Sequence, residues 1–129
     1  MIVVDCAAVV DVLTGVEGSD RLRARLAVED LHAPALLDYE VVSALRHLVL
    51  RGSLSASRGA AALADFEDLA LERWPALGAL RRRAWTLREN VSAYDAAYVA
   101  LAEALQCPLL TRDARLARTP GHEVRVEVV

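Results

Sequence analysis

The chain has 129 residues, a formal net charge of −3 and a hydrophobic content of 55%. This length fits a single domain spanning residues 1–129, and the apolar content excludes a disordered chain. No apolar run approaches the roughly 18 residues that a membrane span needs, and the first residues carry no basic leader. We therefore expect a cytoplasmic protein with no membrane partner.

The basic residues exclude several classes of enzyme. All 15 of them are arginine, because the sequence contains no lysine. A P-loop NTPase and a Schiff-base enzyme both need a lysine, and so does a receiver-type phosphorylation switch. The two cysteines, Cys6 and Cys107, lie far apart without a Cys-x-x-Cys motif, which favours free buried thiols over a disulfide.

Short apolar segments alternate with segments of helical period along the chain. In chain order the pattern predicts strands at 2–4, 31–33, 71–74 and 108–111 and an edge strand at 124–128. Between them it predicts helices at 7–14, 19–28 and 35–51, from Ser55 to about Leu69, at 76–88 and from Ser92 to about Gln106. Pro34 is expected to start the helix at 35–51 and Gly52 to end it, and Ser55 and Ser92 are expected to cap their helices. This alternation predicts a three-layer α/β fold, in which a short, mostly parallel sheet is flanked by helices on both faces.

Four acidic residues map to one edge of such a sheet. Asp5 and Asp113 each follow a predicted strand, whereas Glu40 and Asp95 lie in the early turns of predicted helices. In a parallel sheet, strand carboxyl ends and helix amino termini share the edge where ligands bind. Taken alone, Glu40 and Asp95 are more typical of helix caps. As a set of four, the acids favour a functional site.

A cluster of four carboxylates repels itself unless a cation neutralises it. Oxygen ligands suit Mg²⁺ or Mn²⁺, whereas the three scattered histidines, His32, His47 and His122, offer no zinc-ligand spacing. A divalent cation held by acids points to metal-assisted phosphodiester hydrolysis. A haloacid-dehalogenase-type phosphatase needs a second acid two residues after the first, and Ala7 occupies that position.

Four segments carry a family resemblance, and their sequences are MIVVDCAA, LLDYEVVSALR, YDAAYVALAEAL and PLLTRDARLA. In this order and at these separations they resemble the motifs of PIN-domain ribonucleases. More narrowly, they resemble the VapC toxins of type II toxin–antitoxin modules. The resemblance spans nearly the whole chain, from residue 1 to about residue 118.

The resemblance implies a PIN-like fold and places the catalytic, metal-binding acids on Asp5, Glu40, Asp95 and Asp113. It implies a Mg²⁺- or Mn²⁺-dependent endoribonuclease, a hydrolase that acts on structured RNA such as tRNA or rRNA. It also implies a VapB-type antitoxin that wraps the toxin and blocks its site, and a toxin homodimer.

One position departs from the family pattern, and another leaves two candidates for the same acid. The family often has Ser or Thr two residues after the first Asp, where this chain has Ala7. Asp38 competes with Glu40 as the helix acid, and because the two side chains point about 200° apart, only one can face the site. The Glu-x-x-Ser-Ala-Leu wording favours Glu40 and leaves Asp38 as a surface group.

The segment around Asp113 supplies the candidate substrate contacts. Thr111 matches the family's common hydroxyl before the fourth acid, and Arg112 and Arg115 flank Asp113. Arginines that face the cleft bind phosphates, so we expect Thr111, Arg112 and Arg115 to contact the substrate.

Two other functions compete with the ribonuclease hypothesis. The first is a catalytically inactive PIN-like module that binds RNA or protein, for which Ala7 is the direct support. The second is a DNA-directed nuclease of similar fold. The apolar surface of the two middle helices predicts core packing first and a groove for a partner helix second.

Overall fold

A computed structural model describes all residues, 1–129. The five strands are β1 (Ile2–Val4), β2 (Leu31–Pro34), β3 (Leu71–Trp74), β4 (Leu109–Thr111) and β5 (Val126–Val128). The seven helices are α1 (Cys6–Thr14), α2 (Asp20–Val28), α3 (Leu37–Leu50), α4 (Ala56–Asp68), α5 (Gly78–Thr86), α6 (Ala93–Leu105) and α7 (Ala114–Arg118).

The strands form one fully parallel sheet in the order β3-β2-β1-β4-β5. From β1 the chain moves through β2 to β3, and it then crosses back to β4 on the other side of β1. Because such crossovers are right-handed, α1 to α4 cover one face of the sheet, and α5 and α6 cover the other. The predicted three-layer α/β fold is confirmed.

The core lies along the two central strands. All three residues of β1 and all three of β4 are buried, and Val3 lies opposite Leu109 while Val4 lies opposite Leu110. With helices on both faces, a strand gains nothing from alternating polar and apolar residues. This burial explains why the first strand is the uninterrupted apolar run Ile-Val-Val.

Pro34 is a correction to the sequence prediction, because it ends β2 instead of starting a helix. It pairs with Trp74 of β3, whereas the pairing between β2 and β1 extends only from Leu31 to His32. A strand tolerates proline where no neighbour needs its missing N–H. Helix α3 therefore begins three residues later, at Leu37.

The other differences concern the ends of elements. Helix α5 is shorter than its predicted range of 76–88, and β5 begins at Val126, two residues later than predicted. The sequence prediction did not include the short helix α7, which directly follows Asp113. Both cysteines are free and half-buried, as predicted. None of the helices is both long and apolar enough to cross a membrane.

Candidate active site

The strand order changes direction at β1, because β2 and β3 lie on one side of it and β4 and β5 on the other. At this switch point between β1 and β4, parallel sheets form the crevice where ligands bind. Asp5 follows the last residue of β1, and Asp113 comes two residues after the end of β4. The other two acids reach the same edge from the helices α3 and α6. Four segments that are distant in sequence therefore contribute one acid each.

Asp5 is held firmly at the amino terminus of α1, where it is the N-cap residue. Its Oδ1 accepts a hydrogen bond of 2.9 Å from the backbone N–H of Ala8. Its Oδ2 accepts from the Thr111 hydroxyl and, at 3.3 Å, from the backbone N–H of Arg112. Both carboxylate oxygens are thus oriented by the protein.

Thr111 connects the acids at the ends of β1 and β4. Its hydroxyl donates to Asp5 and accepts a bond of 2.9 Å from the backbone N–H of Asp113. The residue is only 1% exposed. The hydroxyl that the sequence placed among the substrate contacts is therefore fully engaged between two acidic positions.

Asp113 caps α7 and is paired with an arginine. Its Oδ1 accepts from the backbone N–H of Arg115 at 2.9 Å, and its Oδ2 lies 2.9 Å from Nη2 of the same residue. The Arg115 guanidinium lowers the pKa of the Asp113 carboxyl. Arg115 itself is exposed, so its remaining N–H donors face solvent.

Glu40 is the acid of α3 that faces the site. Its Oε1 accepts a hydrogen bond of 2.5 Å from the hydroxyl of Tyr98, which lies on α6. Asp38 points elsewhere and pairs with Arg73 of β3 at 2.7 Å. The structure therefore agrees with the choice of Glu40 over Asp38, although Asp38 forms an ion pair that the sequence did not indicate.

Asp95 lies half-buried in the first turn of α6. Its backbone N–H donates to Oγ of the cap Ser92 at 3.2 Å. The reciprocal bond of a capping box, in which the backbone N–H of Ser92 donates to the Asp95 carboxylate, is not formed. Asp95 thus differs from the other three acids, because no protein group donates a hydrogen bond to its carboxylate.

The acids influence one another electrostatically. Burial raises the pKa of the Asp5 carboxyl, and the charge of Asp113 adds to this effect. Burial also raises the pKa of Glu40, with further contributions from the charges of Asp95 and Asp5, while the bond from Tyr98 opposes the rise. This mutual repulsion indicates that the four carboxylates share one region of the edge.

Cys6 lies close enough to Glu40 and Asp5 for their charges to affect its thiol. Burial raises the pKa of its thiol to about 12, and the charges of Glu40 and Asp5 contribute to the rise. A thiol with so high a pKa stays protonated at neutral pH and is a poor nucleophile. The acid edge therefore offers carboxylate oxygens and no reactive sulfur.

The carboxylates do not converge as tightly as the sequence argument assumed. No three His, Cys, Asp or Glu side chains form a group that could hold a metal ion. Asp5, Glu40 and Asp113 instead engage hydrogen-bond donors of the protein. The chemistry of the set nevertheless suits a hard divalent cation, because every donor is a carboxylate oxygen.

Sequence reasoning missed two contacts at this edge. Tyr98 lies three residues after Asp95 and therefore on the same face of α6, so the helical spacing contained that signal. Asp11 pairs with Nε of Arg112 at 2.6 Å, and no motif announced this pair. The Arg112 guanidinium is therefore already paired with Asp11 where it lies beside the site.

Comparison with known proteins agrees with this architecture. The family model described as the PIN domain matches residues 2–122. The chain belongs to the PIN-domain family. Within that family, Ribonuclease VapC9 from Mycobacterium tuberculosis is 45% identical over 129 residues, covering 100% of this PIN domain chain and 98% of VapC9. Ribonuclease VapC1 from the same species is 46% identical over 128 residues, which cover 98% of this chain and 96% of VapC1.

Solved structures share the PIN-domain fold. VapBC2 from Rickettsia felis, bound to a DNA fragment from its promoter, superposes with a TM-score of 0.72 at 15% identity, covering 99% of this chain and 98% of the other. VapC20 from Mycobacterium tuberculosis, named a Sarcin-Ricin loop cleaving toxin, gives a TM-score of 0.66 at 15% identity, covering 97% and 99%. At such low identity the likeness establishes the fold alone.

Proposed function

We propose that this protein is a VapC-type endoribonuclease toxin that hydrolyses RNA phosphodiester bonds with Mg²⁺ or Mn²⁺. The names of the relatives support the activity. The observation that carries the proposal is the placement of four carboxylates from distant segments at the switch point of the sheet, where burial, with a smaller contribution from their mutual repulsion, raises the pKa of Asp5 and Glu40.

We assign the cation-binding and catalytic roles to Asp5, Glu40, Asp95 and Asp113. When bound, a divalent cation activates water and offsets the charge that develops on the phosphodiester. Asp5 is fixed from both of its oxygens. The Asp95 carboxylate receives no hydrogen bond from the protein, so both of its oxygens are open to a cation, whereas Glu40 has one oxygen engaged by Tyr98.

The residues of the β4–α7 segment divide into two roles. Because Thr111 is buried, we assign it to positioning Asp5 and the Asp113 backbone. Arg112 and Arg115 are exposed, and a phosphate can take up their remaining N–H donors. We propose that these two arginines contact the RNA backbone on either side of Asp113.

The partners follow from the same family. Several structural neighbours are VapBC complexes, which supports a VapB-type antitoxin as the neutralising partner. Helix α3 leaves Tyr39 and Leu50 exposed at 84% and 68%, and these apolar groups are available to an antitoxin helix or to a second toxin subunit. A homodimer and a tRNA or rRNA target are part of the proposal.

Cleavage of RNA by the purified chain with Mg²⁺ or Mn²⁺ tests the proposal. Asp95→Asn is expected to abolish cutting while the protein stays folded, and Asp65→Asn, which changes an exposed aspartate of α4, is the matched control. If Asp95→Asn cuts RNA at the wild-type rate, the site assignment is wrong. Cutting of single-stranded DNA but not RNA identifies a DNA nuclease instead.

Thermal stability gives a second readout that does not depend on activity. A ligand that binds only the folded state at 100 times its Kd stabilises it by about 2.7 kcal/mol. We expect Mn²⁺ to raise the melting temperature of the wild type and to raise that of Asp95→Asn less. A wild type that neither cuts nor gains stability is the non-catalytic scaffold.

A further inference from the structure

An apolar groove of about 580 Å³ lies next to the acid edge. It is walled by the ends of β2 and β3, by α5 and by the first turns of α6. Ala93 and Tyr94 line it, and they directly precede Asp95. Its volume lies within the range of about 300–1,000 Å³ that is typical of sites for small organic groups.

Aromatic rings are concentrated in this groove. Both tryptophans of the chain, Trp74 and Trp85, line it together with Tyr94. The Trp74 indole N–H donates to Nδ1 of His32 at 3.0 Å, which holds this ring in place. Trp85 and Tyr94 are instead 67% and 68% exposed. Tyr94 and much of Trp85 are therefore presented to solvent beside the site, although the Arg88 guanidinium lies over the Trp85 ring.

The charge of the groove is positive, although the chain as a whole is acidic. Its only charged lining residues are Arg81 and Arg88, and no acid lines it. The Arg88 guanidinium lies 4.5 Å from the centre of the Trp85 ring. A groove that combines exposed aromatic rings with arginines matches a nucleotide, whose base stacks while its phosphate binds the cations.

We propose that this groove is a nucleobase subsite that binds an unstacked base adjacent to the bond that the enzyme cuts. Trp85 and Tyr94 stack on the base, and Arg81 and Arg88 bind the flanking phosphates. This inference rests on the proposed ribonuclease function and narrows its substrate class. A base inside a duplex cannot enter the groove, so the substrate is RNA that is single-stranded at the cut, such as a loop or a bulge.

A protein partner fits the groove less well. A purely apolar helix fills the apolar volume but leaves Arg81 and Arg88 without an anion, whereas a nucleotide supplies both a ring to stack and a phosphate. The position of the groove also favours RNA, because Leu36 lines it immediately before the helix that carries Glu40. The two helices that supply Glu40 and Asp95 thus also begin at the groove.

The test measures binding of a short, labelled single-stranded RNA by fluorescence anisotropy, in an Asp95→Asn background that prevents cutting. Trp85→Ala is expected to raise the Kd about 5- to 150-fold, the equivalent of losing one stacked base. Trp85→Phe is expected to recover most of the affinity. Val28→Ala shortens an exposed apolar side chain outside the groove and is expected to leave the Kd unchanged.

An oligonucleotide with abasic sites provides the complementary arm. It keeps the phosphates but has no base to stack. The Asp95→Asn protein is therefore expected to bind it with the same Kd whether or not it also carries Trp85→Ala. An equal Kd for normal RNA in both proteins overturns the inference. A change in the molecular mass of Trp85→Ala, measured by light scattering, without a change in RNA affinity also overturns the inference. That result identifies the groove as a contact between two copies of the chain.

Cleavage assays on the Asp95-intact protein separate this inference from the proposed function. If that protein cuts RNA and Trp85→Ala leaves KM unchanged, the ribonuclease stands and the nucleobase subsite falls. If no RNA is cut but Trp85→Ala still weakens RNA binding, the subsite stands and the proposed catalysis falls.

Discussion

Tyr98 donates a 2.5 Å hydrogen bond to Glu40 across 58 positions of sequence, and this bond joins the two helices that carry acids on opposite sides of the switch point. Helices α3 and α6 belong to different layers of the fold, so no local pattern fixes their relative positions. The bond holds the Glu40 carboxylate at the edge where burial, together with the charges of Asp95 and Asp5, raises its pKa.

Tyr98→Phe removes this bond and leaves the ring in place. Because the hydrogen bond lowers the pKa of Glu40, its loss raises that pKa, and Glu40 then becomes protonated at a higher pH. We expect the acid limb of the RNA cleavage profile to move to higher pH. Tyr39→Phe, which changes an exposed tyrosine of α3, is expected to leave the profile in place, and an unmoved limb in Tyr98→Phe contradicts the role given to this bond.

Thr111→Val replaces the hydroxyl by a methyl group of similar size. The change leaves the Asp5 carboxylate and the Asp113 backbone N–H without their shared partner. An unpaired buried group costs about 1–3 kcal/mol, which urea unfolding measures. Thr111→Ser keeps the hydroxyl and is expected to recover both the stability and the cleavage rate. Equal stability of the Val and Ser variants contradicts this account.

Asp38→Asn tests whether the site includes only one acid of α3. The carboxylate of Asp38 pairs with Arg73, and the pair is partly exposed, so the loss is expected to stay below about 1 kcal/mol. RNA cleavage is expected to be unchanged, whereas Glu40→Gln is expected to remove it. Loss of cleavage in Asp38→Asn contradicts the assignment of Glu40 as the helix acid.

Asp5→Asn separates the capping role of Asp5 from its charge. The raised pKa of Asp5 means that its ionised form is disfavoured in the folded state, so neutralising it is expected to raise the melting temperature without added metal. The amide oxygen can still cap α1 through Ala8. Asp5→Ala loses the cap and is expected to be less stable than Asp5→Asn by about 0.5–2 kcal/mol. A melting temperature of Asp5→Asn several degrees below the wild type contradicts this account, because it shows that the ionised carboxylate stabilises the fold.

Arg25 predicts a pH dependence of stability away from the site. It binds Glu29 at 2.8 Å, which lowers the pKa of that carboxyl. A carboxyl with a lowered pKa contributes stability that is present above its unfolded pKa and is lost as the pH falls through the folded one. Arg25→Leu is expected to lower the free energy of unfolding by up to about 1 kcal/mol at neutral pH. It is also expected to make that free energy depend less on pH in the acid range. Arg21→Leu changes an exposed arginine of the same helix and serves as the control.

The positions of the four acids in the fold were predictable because each one lies at or near the end of an element. Asp5 ends a buried apolar strand, and Ser92 marks the start of the helix that carries Asp95. The parallel sheet then brings the ends of these elements to one edge. Periodicity and caps are local properties, and the position of the edge follows from them together with topology.

The partners of the acids were not predictable in the same way. Whether Arg112 meets Asp11 or a phosphate depends on side-chain positions that no spacing determines. Likewise, the interaction of Asp38 with Arg73 depends on β3 lying beside β2. Pro34 was misplaced for a related reason, since proline is acceptable both at a helix start and at an unpaired strand end.

The contact between Thr111 and Asp5 joins residues that are 106 positions apart, so the first acid acquires its hydroxyl partner only once β4 has been synthesised and has paired with β1. A nascent chain that has not yet released β4 from the ribosome carries three of the acids but cannot complete their arrangement. A chain cut before β4 lacks both the fourth acid and the hydroxyl that orients the first one.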